Sequence, residues 1–189
     1  ATFFGIGHLR PAPGTWGSAA AVVLGVAAYE WLHPMLVPAG FVLATVLGFW
    51  AVPRVLAQSA DGDPSWVVID EVAGQWLAMC FTVIPLAQKG VSILAAWPGF
   101  VAPFLLFRLF DIWKPWLVGR ADRRGGTLGV MADDVWAGLF AGVVSVMRFL
   151  PAKAARQWLS PVAVKHRGGK EDKQGKIPSA LLEFAIAGT

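Results

Sequence analysis

Asp70 and Glu71 in VVIDEVAGQW, Asp111 in FRLFDIWKPW, and Asp133 and Asp134 in GVMADDVWAG each sit at the end of an apolar stretch. A carboxylate beside hydrocarbon is costly, so acids collected at matching depth mark a functional site by default. Converging carboxylates repel one another unless a divalent cation lies among them. All-oxygen donors without His or Cys suit Mg²⁺ first, with Mn²⁺ or Ca²⁺ second. Helix capping by acids in a first turn explains one such pair equally well. Two matching pairs with Asp111 on one face point to a cation.

The two paired segments resemble each other: Asp70-Glu-Val-Ala-Gly74 and Asp133-Asp-Val-Trp-Ala-Gly138. The i, i+4 spacing of Asp70 with Gly74 and of Asp134 with Gly138 puts each acid on the same helical face as a glycine that admits a neighbouring helix. Gly138 and Gly142 extend this as a small-xxx-small contact. The pattern predicts two helix N-termini side by side, each opening with a pair of carboxylates. Arg108, Asp111 and Lys114, spaced i, i+3, i+6, form a charged strip whose cations suit a phosphate that shares its oxygens with Mg²⁺. Arg124, in the loop Arg123-Arg124-Gly-Gly-Thr-Leu-Gly, adds a donor, and the glycines there let backbone N–H groups approach an anion. Thr15 and Ser18, in APGTWGS, could bind the same anion at the start of the first helix. A turn followed by Ser/Thr capping accounts for these glycines equally well. Asp61-Gly-Asp63 reads as a turn, and the chain has no Cys-x₅-Arg phosphatase loop.

The elements that must position these residues are apolar helices. Of 189 residues, 56% are hydrophobic and 15% charged, and the mean hydropathy is +0.58. Such a chain is too apolar for an ordinary soluble domain. Apolar runs at 16 to 32, 38 to 56, 68 to 86, 91 to 110 and 132 to 150 each approach the ~20 residues that cross a bilayer. The expected fold is all-α, a compact polytopic membrane bundle of about five apolar helices with the polar site at one face. Pro98 and Pro103 can split the fourth run into a short interfacial piece and a span. The expected domains are 1–151, in the membrane, and 152–189, a basic tail that is flexible or interfacial. Simple alternation of five helices collects every polar motif on one side, together with Arg10, Arg54, Arg108, Lys114, Arg120, Arg123 and Arg124. The positive-inside bias makes that side cytoplasmic. Five full crossings would export the basic tail, so the last helix does not cross fully or the tail lies along a surface.

Most of the ten tryptophans lie near ends of apolar runs, as interfacial indoles do. Cys80 is a lone thiol in an apolar run, which excludes an internal disulfide and a thiolate metal site. A net charge of +4, without basic runs interleaved with aromatics, gives no reason to expect nucleic acid. The opening segment lacks the charged head and apolar centre of an export signal.

Together GIGHLRPAPGTWGS, VVIDEVAGQW, FRLFDIWKPW and GTLGVMADDVWAG resemble the phosphatidylglycerophosphatase A family, bacterial membrane phosphatases that convert phosphatidylglycerophosphate to phosphatidylglycerol. The likeness runs from about Phe3 to Phe149 and covers four motifs in the family's order. It implies Mg²⁺ dependence, a phospholipid substrate and a bacterial membrane; with the charge bias above, the expected place is the inner membrane with the active face cytoplasmic, and no obligate protein partner is evident. By motif match Asp70, Glu71, Asp111, Lys114, Asp133 and Asp134 are the expected functional positions, with Thr15 and Ser18 beside them. His8 stands where a small polar residue is expected, and the tail is longer than usual. In the implied chemistry Asp70, Glu71, Asp133 and Asp134 hold one or two Mg²⁺. Asp111 completes the metal shell or acts as general base, and Lys114 and Arg108 clamp the phosphate. An ion-coupled transporter is the alternative, though its acids belong near mid-span and not beside Arg and Lys.

Overall fold

The computed structural model of the chain describes residues 1–59 and 64–149. The tail 152–189 and the turn at Asp61 to Asp63 therefore lie outside the described residues. Among those described there are six α-helices and no strand. Helix α1 (Pro13–Ala27) opens on a proline, preset for a first helical turn, and runs on through a π-helical turn, Ala28–Leu32, to His33 and Pro34. Then follow α2 (Leu36–Leu56), α3 (Ile69–Gln88), α4 (Pro98–Trp113), α5 (Trp116–Asp122) and α6 (Gly126–Phe149).

The apolar runs at 16, 38 and 68 match α1 with its π turn, α2 and α3 closely. The other two expectations need correction. Residues 91 to 97 form turns, so the fourth run yields only the sixteen residues of α4, short of the ~20 that a span requires. The last helix begins at Gly126 and not near 132, because Gly125 and Gly126, at φ +65° and +61°, make the whole break before it. Asp70 and Glu71 do occupy the first turn of α3. Asp133 and Asp134, however, lie two turns inside α6, so the expected pair of matching N-termini becomes one N-terminus facing a helix interior. Helix α5 falls in a stretch expected to be loop. Three helices, α2, α3 and the 126–147 part of α6, are long and apolar enough to cross a membrane.

Helix α3 is the hub: it packs most extensively on α6 and also touches α1, α2 and α4. Of α2's most apolar window only 22% is buried, against 50% for α3 and α6. Val42, Leu43, Val46 and Trp50 of α2 are exposed, as expected of side chains facing lipid. Lipid tails are as apolar as leucine, so helices here associate through close packing rather than by escaping water. The closest approach is at glycine. A Cβ on Gly74 would stand 2.5 Å from the Asp134 carbonyl oxygen, and one on Gly138 would overlap the Gly74 carbonyl. Gly142 faces the Phe81 ring instead. Ala78, Phe107, Val118, Ala137 and Ala141 fill the space where α3, α4, α5 and α6 meet.

At the far end of α1 the polar contacts tie chain to chain. Ser92 Oγ and the Ile93 N–H donate to Glu30 at 2.7 and 3.2 Å, and Tyr29 Oη donates to the Val91 carbonyl at 2.6 Å. Glu30 thereby fixes the 91 to 97 turns against α1.

Gly138→Ala sets a methyl against backbone, which cannot swing aside, whereas Gly142→Ala meets a side chain. Thermal unfolding in detergent should show Gly138→Ala less stable by roughly 1–3 kcal/mol, with a smaller loss for Gly142→Ala; equal melting temperatures would contradict this helix crossing.

Candidate active site

The start of α1, the start of α3, the end of α4 and the first turns of α6 converge on one polar cavity of about 250 Å³. Five carboxylates line it, those of Asp70, Glu71, Asp111, Asp133 and Asp134, with Arg108, Lys114 and Ala12 to Gly14. Asp70, Asp133 and Asp134 are buried, and Glu71 and Asp111 are half-buried. Oxygens of Asp70, Glu71 and Asp134 lie within 4.8 Å of one another, and so do oxygens of Asp111, Asp133 and Asp134. The two acidic pairs share a local design: the Glu71 N–H donates to Asp70 Oδ1 at 3.0 Å, and the Asp134 N–H donates to Asp133 Oδ1 at 2.9 Å. In each, the first acid is held by the backbone of the second.

Each cation is set by its own scaffold. Arg108, one turn before Asp111 on α4, pairs with Asp111 Oδ2 at 2.8 Å and donates to Ser18 Oγ at 3.3 Å. Ser18 is fully buried and donates in turn to the Gly14 carbonyl at 2.8 Å. A Cβ on Gly14 would overlap the Glu71 carboxylate and come within 3.3 Å of Arg108 Nη1, so a larger residue there would displace both site side chains. Lys114 ends α4 in the left-handed region, φ 48° and ψ 55°, at a cost of roughly 1–2 kcal/mol for a residue with a Cβ. In this position Nζ contacts Asp122 of α5 and Asp133 Oδ2, the latter at 3.0 Å. Lys114 lies outside the three spans. Burial favours its neutral amine, but the hydrogen bonds to Asp122 and Asp133 outweigh that and hold its pKa above the ordinary lysine value. The ammonium is therefore charged throughout the neutral range.

The structure thus gathers Asp70, Glu71, Asp111, Lys114, Asp133, Asp134 and Arg108 about one space. Ser18, Thr15 and Arg124 are not among the residues lining the cavity: Ser18 is fully buried and touches Arg108, so it braces that cation in place of binding the anion itself, and Arg124 is exposed. One contributor escaped the sequence reading. Asp122, which orients Lys114, lies in a stretch read as loop; seven residues are too few for a helical period to show.

The residues also fit a divalent ion on structural grounds. Glu71 Oε2 and Asp134 Oδ1 are buried without a hydrogen-bond partner, a costly state for an acceptor. With their oxygen neighbours they form the hard donor set that Mg²⁺ takes.

Fold and site define a helical membrane protein that gathers carboxylates and cations at one end of its bundle. It belongs to the phosphatidylglycerophosphatase A family, whose model matches residues 1–149. Phosphatidylglycerophosphatase A of Haemophilus influenzae is 33% identical over 142 residues, 75% of this chain and 81% of that protein. The Escherichia coli protein of the same name is 30% identical over 146 residues, 75% and 77% of the two chains. A Bacteroides thetaiotaomicron protein, provisionally named a phosphatidylinositol-3-phosphatase, is 36% identical over 160 residues, 79% and 91%. No solved structure matches the chain. The protein is accordingly a phospholipid phosphatase, and the ion-coupled transporter has no support.

Lys114→Met leaves Asp122 and Asp133 facing each other without their shared cation. Phosphatase activity should fall by about 10²–10³, the loss seen when one preorganised charge-stabilising group is removed, with Lys114→Arg recovering part of it; full activity in Lys114→Met would remove Lys114 from the machinery.

Proposed function

We propose that the protein hydrolyses the terminal phosphate of phosphatidylglycerophosphate to give phosphatidylglycerol, using Mg²⁺ held by Asp70, Glu71, Asp111, Asp133 and Asp134. The observation that carries this reading is the shared cavity, in which five carboxylates and two cations meet at one end of the bundle. Mg²⁺ would supply charge neutralisation at phosphate oxygens and a more acidic water. Arg108, braced by Ser18 and Asp111, offers its fork to the phosphate, and Lys114 adds a second charge. Gly14, in the first turn of α1, lines the same space, and a first-turn N–H there favours an anion. A cavity of about 250 Å³ suits a phosphorylated headgroup and leaves the acyl chains to the bilayer.

The excess of Arg and Lys on the site's side of the bundle supports a cytoplasmic orientation. Arg54, at the end of α2, lies on that side with Lys114, Arg120, Arg123 and Arg124, while the connection after α3 carries Lys89. The names of the relatives support a glycerophosphate headgroup, and the Bacteroides relative makes a phosphoinositide the competitor to test.

Purified protein in detergent should release phosphate from phosphatidylglycerophosphate in Mg²⁺ and lose that activity in EDTA. Phosphatidylinositol 3-phosphate should be cleaved at least tenfold more slowly. Asp133→Asn and Asp134→Asn should each raise the Mg²⁺ concentration needed for half-maximal rate by about 10-fold or more, the scale for disturbed metal ligation. Preference for the phosphoinositide, or full activity in EDTA, would overturn this assignment.

A further inference from the structure

We infer that the cavity holds two divalent cations, with Asp134 as the shared ligand between them. This rests on the reading that the acids bind a divalent ion and goes beyond it in number and arrangement. Ligand oxygens fall into two groups, Asp70 with Glu71 and Asp134, and Asp111 with Asp133 and Asp134. Among the described residues these groups meet at Asp134, whose carboxyl has two oxygens to offer. Within each group the oxygens lie within 4.8 Å of one another, near the roughly 4.2 Å that separates opposed ligands on an ion with 2.1 Å bonds.

The orphaned atoms agree with this division. Asp134 is 97% buried (3% exposed), and its Oδ1 has no hydrogen-bond partner; Glu71 Oε2 in the first group is likewise buried and unpartnered. The second group holds both of the cavity's ion pairs, since Arg108 pairs with Asp111 and Lys114 with Asp133. No cation pairs with Asp70, Glu71 or Asp134 among the described residues. A single Mg²⁺ does not account for the set. That ion commonly takes one or two carboxylates and keeps waters or phosphate oxygens in its other positions. Charge leads to the same count. Five ionised carboxylates exceed Arg108 and Lys114 by three, so one divalent ion leaves the cavity net negative before a phosphate arrives. Two leave it net positive by one, the sign a phosphomonoester needs. Paired ions roughly 3.5–4 Å apart are an established way to clamp both oxygens of a phosphoryl displacement.

Mn²⁺ provides the test, with the purified full chain in detergent and two readouts, equilibrium binding and electron paramagnetic resonance. The wild type should bind two Mn²⁺ per chain with the spectrum of an exchange-coupled pair. Asp70→Asn and Asp111→Asn should each retain one tight, uncoupled Mn²⁺, while Asp134→Asn should abolish coupling and weaken both ions at least tenfold. Unchanged thermal unfolding of the metal-free variants would confirm that each still folds. One Mn²⁺ per wild-type chain, two uncoupled ions, or a coupled pair surviving Asp134→Asn would overturn the inference. Phosphate release by a protein binding one Mn²⁺ would sink the pair and spare the hydrolase assignment. A coupled pair in a protein that releases no phosphate would do the reverse.

Discussion

Everything at this site depends on the backbones of α3 and α6 touching. Gly74 and Gly138 are the contact, each without room for a Cβ against the other helix's main chain. One turn before each glycine stands an acid, Asp70 or Asp134, so the crossing that brings the helices together also brings the carboxylates together. A side chain at either glycine would push the helices apart and dissolve the donor set. In lipid, where apolar surface gains little by pairing with apolar surface, such close packing is a main source of helix association. Structural and chemical requirements thus fall on the same few residues.

The electrostatic cost of that arrangement is offset locally and only in part. Arg108 answers Asp111, Lys114 is divided between Asp133 and Asp122, and backbone N–H groups answer Asp70 and Asp133. What stays unanswered is Glu71 and Asp134, the two carboxylates with buried, unpartnered oxygens. The imbalance is concentrated where α3 meets α6 and absent from the far end of the bundle, where the Glu30 carboxylate is satisfied by Ser92 and Ile93. One end is built for cohesion, the other for a ligand.

The acidic residues were legible in the sequence because carboxylates are expensive beside hydrocarbon, and the Asp-Glu-Val-Ala-Gly echo announced which helices would cross. Arg108 also fell where its spacing from Asp111 placed it, whereas Ser18, expected to meet the anion, braces Arg108 from behind. The start of α6 was not legible. GTLGVM looks like a glycine-rich loop, and only the positive φ at Gly125 and Gly126 shows that the break is complete before Thr127. That error moved Asp133 and Asp134 to a helix end, although capping of a first turn cannot explain acids two turns into a helix. Arg124 was chosen for its neighbouring glycines, yet those glycines serve the α5–α6 turn and leave its side chain exposed. Helix α5 and its Asp122 were hidden because seven residues carry no readable period, and their role is tertiary: they brace Lys114 from across a turn.

The central claim is that acids from α3, α4 and α6 line one cavity that holds divalent cations, and iron-directed cleavage of the backbone tests it most directly. Fe²⁺ bound in place of Mg²⁺, with ascorbate and peroxide, cuts the chain only near where the ion sits. Cuts near Asp70, Asp111 and Asp134 in the same preparation, all suppressed by excess Mg²⁺, are the expected result. Cleavage confined to one of the three helices, or scattered and indifferent to Mg²⁺, would contradict the account.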